Sequence, residues 1–272
     1  MTITYILQIL EDIRNGDSEK YGVITDMNGE LQKAVQRSRK RIARTRLRAQ
    51  YELGEMDKAK VAAAGDYLPR FIKALGKIRN LNLEDCRGLN GLDDFMEDEN
   101  RVNEVVEMAQ KISQLSSVSS SAYTPMALGF GLLEGYSDID GVEIDNEKFE
   151  TMDPEYATRK AEEIKAFQKK VRETYKSLQD ISLCARERGE AINDLSDYFI
   201  DGLRDVEKIQ MQVGGDWHMY NLVQKMQIGR TIQVAQLIVL LFRHLLDDDG
   251  HIDESSRAAI KKAQDELLKR DA

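Results

Sequence analysis

Asp153 to Val213 reads DPEYATRKAEEIKAFQKKVRETYKSLQDISLCARERGEAINDLSDYFIDGLRDVEKIQMQV. Asp153 and Pro154 form a helix start, an N-cap followed by a first-turn proline. From there apolar side chains recur every seven residues at Ile164, Val171, Leu178, Ala185, Ile192, Phe199, Val206 and Val213. A second row interleaves with them: Phe167, Thr174, Ile181, Arg188, Leu195, Gly202 and Ile209. A seven-residue repeat kept for this long predicts one helix winding against a partner helix. At 1.5 Å per residue the seam alone would run roughly 75 Å. Arg188 and Gly202 break the seam, and breaks of this kind set register or let another helix come close.

The partner is expected within Asp26 to Asn80. Leu31, Val35, Ile42, Ala49, Met56, Ala59 and Ala63 make a matching seam of smaller side chains, continued by Leu68, Phe71, Leu75 and Ile78. Gly65 and Pro69 predict a bend or a division there. The simplest arrangement is an antiparallel hairpin within one chain. A short amphipathic helix is expected at the start, where Ile3, Ile6, Leu7, Leu10 and Ile13 share a face ahead of Gly16. Further helices are expected over Glu99 to Ser116, 216–246 and 255–270, the TIQVAQLIVLLF stretch being apolar around most of its circumference and so the most enclosed.

Composition agrees with this. Charged residues make up 32% of the 272, aromatics only 7%, and there are 3 prolines, a balance suited to solvated helices with narrow seams. The expected fold is all-α: a single elongated domain spanning 1–272, an antiparallel coiled coil or helical bundle with stalk helices at 26–80 and 153–213 and a central tip at 117–152.

That tip begins within the chain's longest uncharged stretch. No residue from Ser113 to Leu133 is charged, yet serines, Thr124 and Pro125 dilute it too far for a membrane span. Within it Ala127, Gly131 and Gly135 stand four apart, a spacing that lets two helix backbones touch, with Phe130 and Leu132 beside them. These five residues are the candidate surface for a membrane or a protein partner.

Met56 to Asp85, MDKAKVAAAGDYLPRFIKALGKIRNLNLED, and Ile232 to Ser256, IQVAQLIVLLFRHLLDDDGHIDESS, resemble the flanks of bacterial coiled-coil proteins with a central glycine-zipper segment, some of them labelled chemotaxis proteins. The resemblance covers about half of the chain and implies a coiled-coil fold without an activity tied to particular residues. In those proteins the middle is a long Ala/Gly-rich run; here it is shortened to AYTPMALGFGLLEGY.

The catalytic and metal patterns lead nowhere. Gly129, Gly131 and Gly135 miss the dinucleotide fingerprint by one position, and Gly76-Lys77-Ile78 is not a phosphate-binding loop. His218, His244 and His251 are scattered. The loop with Asp138, Asp140, Gly141 and Glu147 has Tyr136 where a calcium loop starts with a carboxylate, and the turns at Asp26–Gly29 and Asp247–Gly250 fail in the same way. The expectation is no enzyme, no cofactor, no metal and no small-molecule substrate. Cys86 and Cys184 lack metal-ligand spacing, which suits a reduced, cytoplasmic chain, with a place at the inner face of the membrane open to it.

The strongest charge feature is RSRKRIARTRLR, Arg37 to Arg48, with seven basic residues in twelve. Arg37, Arg41, Arg44 and Arg48 fall along one helical face. Since the chain as a whole carries a formal charge of -9, the stripe is expected to be solvated or paired with an acidic run such as Asp93 to Glu99 ahead of binding nucleic acid. No aromatic residue interleaves with the arginines to stack on bases. Three functions follow in order: a non-catalytic helical protein presenting its tip to a membrane surface or protein; a soluble scaffold or self-associating protein; and nucleic-acid binding through the basic stripe.

Overall fold

The computed structural model describes residues 3–16, 27–86, 153–243, 245–247 and 251–271. Helices dominate, and among the described residues the only β-type pairings are two isolated bridges. In chain order the helices are α1 (Ile3–Arg14), α2 (Met27–Ala62), α3 (Leu68–Leu75), α4 (Pro154–Val213), α5 (Leu222–Leu241) and α6 (Glu254–Asp271). The all-α expectation holds. The expected helix at Glu99 to Ser116 and the tip at 117–152 lie outside the described residues.

Local chemistry sets the helix boundaries. Asp153 Oδ1 accepts the Tyr156 amide at 2.6 Å, which is the expected N-cap of α4. Gly16 takes φ +84 at the end of α1, a backbone that favours glycine. α2 and α3 are separated by one π-turn, Ala63–Tyr67, the division foreseen at Gly65 and Pro69. Asn221 and Gln224 close a reciprocal capping box at the start of α5.

The chain divides into two compact units. Both boundaries fall inside helices, at Gln50/Tyr51 in α2 and at Ile181/Ser182 in α4. The first unit holds α1 and the N-terminal parts of α2 and α4. Its core takes Ile6, Leu10 and Ile13 from α1, Leu31, Val35 and Ile42 from α2, and Ile164, Phe167 and Leu178 from α4.

The second unit holds the rest of α2 and α4 with α3, α5 and α6. α5 is the most enclosed helix: Ile232, Val234, Ala235, Leu237, Ile238 and Leu241 are all buried, as its apolar circumference predicted. Every foreseen seam position of α4 is buried or half-buried. Gly202 is where α5 comes close, since a Cβ built on it would lie 2.5 Å from Thr231 Oγ1.

Direction is where the second unit departs from expectation. Met56 meets Gly189, Phe71 stacks edge-on to Phe199 at 5.0 Å, Arg70 pairs with Glu207 at 2.5 Å, and the Ala74 carbonyl accepts from Gln210. Positions on α4 rise as positions on α2 and α3 rise, so within this unit the strands of the seam run parallel, not antiparallel. The seven-residue repeat demands burial on one face and is blind to direction.

Candidate functional site

Arg37 to Arg48 forms part of α2 in the first unit. Ile42 alone is buried there; Arg37, Arg39, Lys40, Arg41, Arg44 and Arg48 are exposed and Arg46 is half-buried. The predicted row Arg37, Arg41, Arg44 and Arg48 therefore faces solvent, one residue per turn.

α4 carries a second row that sequence reasoning missed. Lys165, Lys169, Arg172 and Lys176 repeat the spacing of the first row, and all four are exposed. The two helices meet through Arg41, whose guanidinium carbon stands 3.8 Å from the centroid of the Tyr175 ring. A cation over an aromatic face contributes about 0.5–1 kcal/mol at an exposed site. Tyr175 is positioned in turn by Gln179, whose Nε2 donates to the phenol oxygen at 2.9 Å.

That contact decides which sides of the helices adjoin. It sets the flank of α2 bearing Arg41 against the flank of α4 bearing Tyr175, and Arg172 lies one turn before Tyr175 on the same side. The contact brings Arg41 and Arg172 to the same side of the α2–α4 pair, while Lys165, Lys169 and Lys176 run along the outer side of α4. Glu173 is the one acidic residue between Lys165 and Gln179, at 3.9 Å from Lys169. Among the described residues no ion pair engages Arg37, Arg41, Arg44, Lys165, Arg172 or Lys176.

A different polar group lies inside the second unit. Arg188, one of the seam breaks, has no exposed surface and donates from Nη1 to the Arg243 carbonyl at 2.7 Å, just past the end of α5. Helix C-termini leave carbonyls without partners and carry partial negative charge, so a cation there is stabilised. Burial lowers the Arg188 pKa to about 10 against attraction from Cys184 and Asp253, leaving it charged at neutral pH. Its Nε has no hydrogen-bond partner. Close by, Lys60 pairs with Asp57 at 3.7 Å. Burial, reinforced by the Arg188 charge, drives the Lys60 ammonium down to about 8 although Asp57 opposes it, and burial raises Asp57. Arg188 serves the fold by tying α4 to the turn that follows α5.

A third polar group is an anchor. Asp85 Oδ2 accepts from the Trp217 indole at 2.9 Å and from Lys225 Nζ at 2.6 Å, and both bonds hold its carboxyl below the usual range. Trp217 is fully buried, and the turn before it is sealed by Gly215 against the Lys77 carbonyl.

The tip residues Ala127, Phe130, Gly131, Leu132 and Gly135 lie outside the described residues, as does the loop from Asp138 to Glu147. Among the described residues no group of three or more His, Cys, Asp or Glu is placed to hold a metal ion, and no helix is long and apolar enough to cross a membrane. Cys86 and Cys184 are both buried and not joined to each other. Comparison with known proteins adds no relative: no protein-family model matches the chain, and neither a curated protein nor a solved structure does.

Proposed function

We propose that the chain is a non-catalytic, elongated helical protein that works in the cytoplasm by presenting helix surfaces to a macromolecular partner. The observation that carries this is the contrast between its polar groups. Two of the buried ones, Arg188 and Trp217, donate to structural partners, the Arg243 carbonyl and Asp85. The rows on α2 and α4 are exposed and point outward instead. A recognition protein needs a fixed surface of uniform chemistry, and long helices supply one without a cavity. The glycine-bearing segment with Ala127, Gly131 and Gly135 is a second contact element in this proposal, for a membrane surface, another protein or another copy of the chain.

Photo-crosslinking tests it. With a photoreactive residue at Arg44 or at Gly131, irradiation in the native cell should yield adducts of discrete mass with a macromolecule. An absence of adducts at both positions would refute the proposal.

A further inference from the structure

We infer that the two basic rows of the first unit form one composite surface for the phosphate backbone of nucleic acid, read without regard to sequence. The inference rests on the proposed binding role and names the partner of that surface. Arg37, Arg41, Arg44 and Arg48 make one track and Lys165, Lys169, Arg172 and Lys176 the other, each about 16 Å long at 1.5 Å per residue. Arg41 on Tyr175 joins the two helices where the tracks overlap, each track running on beyond the other at one end. A phosphate chain presents regularly spaced negative charge, and guanidinium groups match its oxygens with paired N–H donors.

Two properties select this partner over an anionic membrane. A helix that lies in a membrane surface needs an apolar face beside its basic one. The apolar face of α2 is buried, with Leu31, Val35 and Ile42 in the core, and Leu47 is the one large apolar side chain exposed among these rows. The second property is the contrast with the whole chain: seven basic residues and no acidic one over Arg37 to Arg48, within a protein of formal charge -9. The acidic surplus elsewhere repels a polyanion and confines it to this face. No exposed aromatic ring lies within Arg37 to Arg48 or Lys165 to Lys176, and Tyr51, one turn past Arg48, is the exposed ring nearest to them, so contact within the rows is with phosphates.

The test is fluorescence anisotropy of the full chain with a labelled mixed-sequence DNA duplex at increasing salt. If half of the eight row residues each neutralise a phosphate, the logarithm of affinity falls against that of salt with a slope of about −4, a loss of about 10²-fold between 50 and 200 mM. Reversing one row (Arg37→Glu with Arg44→Glu) or the other (Lys165→Glu with Arg172→Glu) should weaken binding at least tenfold and flatten the slope by about 2. Lys208→Glu with Lys261→Glu, exposed positions of the second unit, should leave it unchanged. All substituted side chains are exposed, so a circular dichroism spectrum matching the parent certifies the fold. Unaltered affinity after reversal of the α4 row overturns the composite surface. Binding to anionic lipid vesicles without binding to the duplex overturns the choice of partner. If the duplex fails while Arg44 cross-links to a protein, this inference falls and the general binding role stands.

Discussion

The Lys60 ammonium is held in a place that resists charge, and this has a measurable effect on stability. In the unfolded chain it titrates near its ordinary 10.5, whereas burial and the neighbouring Arg188 bring it to about 8 in the folded protein. Between those values the unfolded state binds more protons than the folded one, so this group makes stability rise with pH. Below pH 8 the folded state carries the disfavoured charge in full; above 10.5 the penalty is gone. At about 1.4 kcal/mol per pH unit the difference comes to about 3 kcal/mol. The attraction of Asp57, 3.7 Å away, is already contained in that figure. Lys60→Met removes the titrating group and keeps most of the stem. Urea unfolding of both proteins should be followed through Trp217, the one tryptophan, which is buried in the same unit. At pH 7 the variant should be the more stable, by up to about 3 kcal/mol, and the gap should close between pH 8 and 10.5. Taking the difference cancels Cys86 and Tyr220, whose raised pKa values act on both proteins alike. A gap that stays constant across this window would refute the argument.

Gly202→Ala should destabilise by about 1–3 kcal/mol because the new methyl meets Thr231, and Thr231→Ala in the same chain should restore most of the loss; thermal melts of the four proteins measure this coupling. Arg188→Met should lift the Lys60 pKa from about 8 toward its ordinary value by removing a neighbouring charge, visible in an NMR titration of the lysine side chains. Trp217→Phe keeps the ring but not the donor to Asp85, so the Asp85 carboxyl should titrate at higher pH, which a carboxyl-selective NMR titration would show.

Much of the fold was legible because burial has a period. Ile164 to Val213 stood out at seven-residue spacing, and all of those positions are buried or half-buried. The division before Pro69, the cap at Asp153 and the enclosure of α5 came from equally local chemistry. The pairing direction was not legible, since a 3.5-residue seam closes equally well either way. The Arg37 to Arg48 row was visible because nothing dilutes it. Its counterpart from Lys165 to Lys176 was hidden by Glu162, Glu163 and Glu173, which lower the local net charge without occupying the row. Lys60 gave no signal at all: a lysine in an amphipathic helix reads as solvated until its neighbours are known.

Arg188 accounts for what the seam leaves open. Apolar side chains at regular spacing favour any arrangement that buries them, and antiparallel, parallel and shifted registers compete at similar energy. A guanidinium at a fully buried seam position removes most of them, because it must meet an acceptor, and here that acceptor is the Arg243 carbonyl beyond α5. The cost is desolvation, seen in the lowered pKa of Arg188 and in the pressure it puts on Lys60. Gly189 against Met56 and Gly202 against Thr231 add two contacts that a one-turn slip would destroy. Polar and small residues thus select one register inside the second unit by penalising its alternatives.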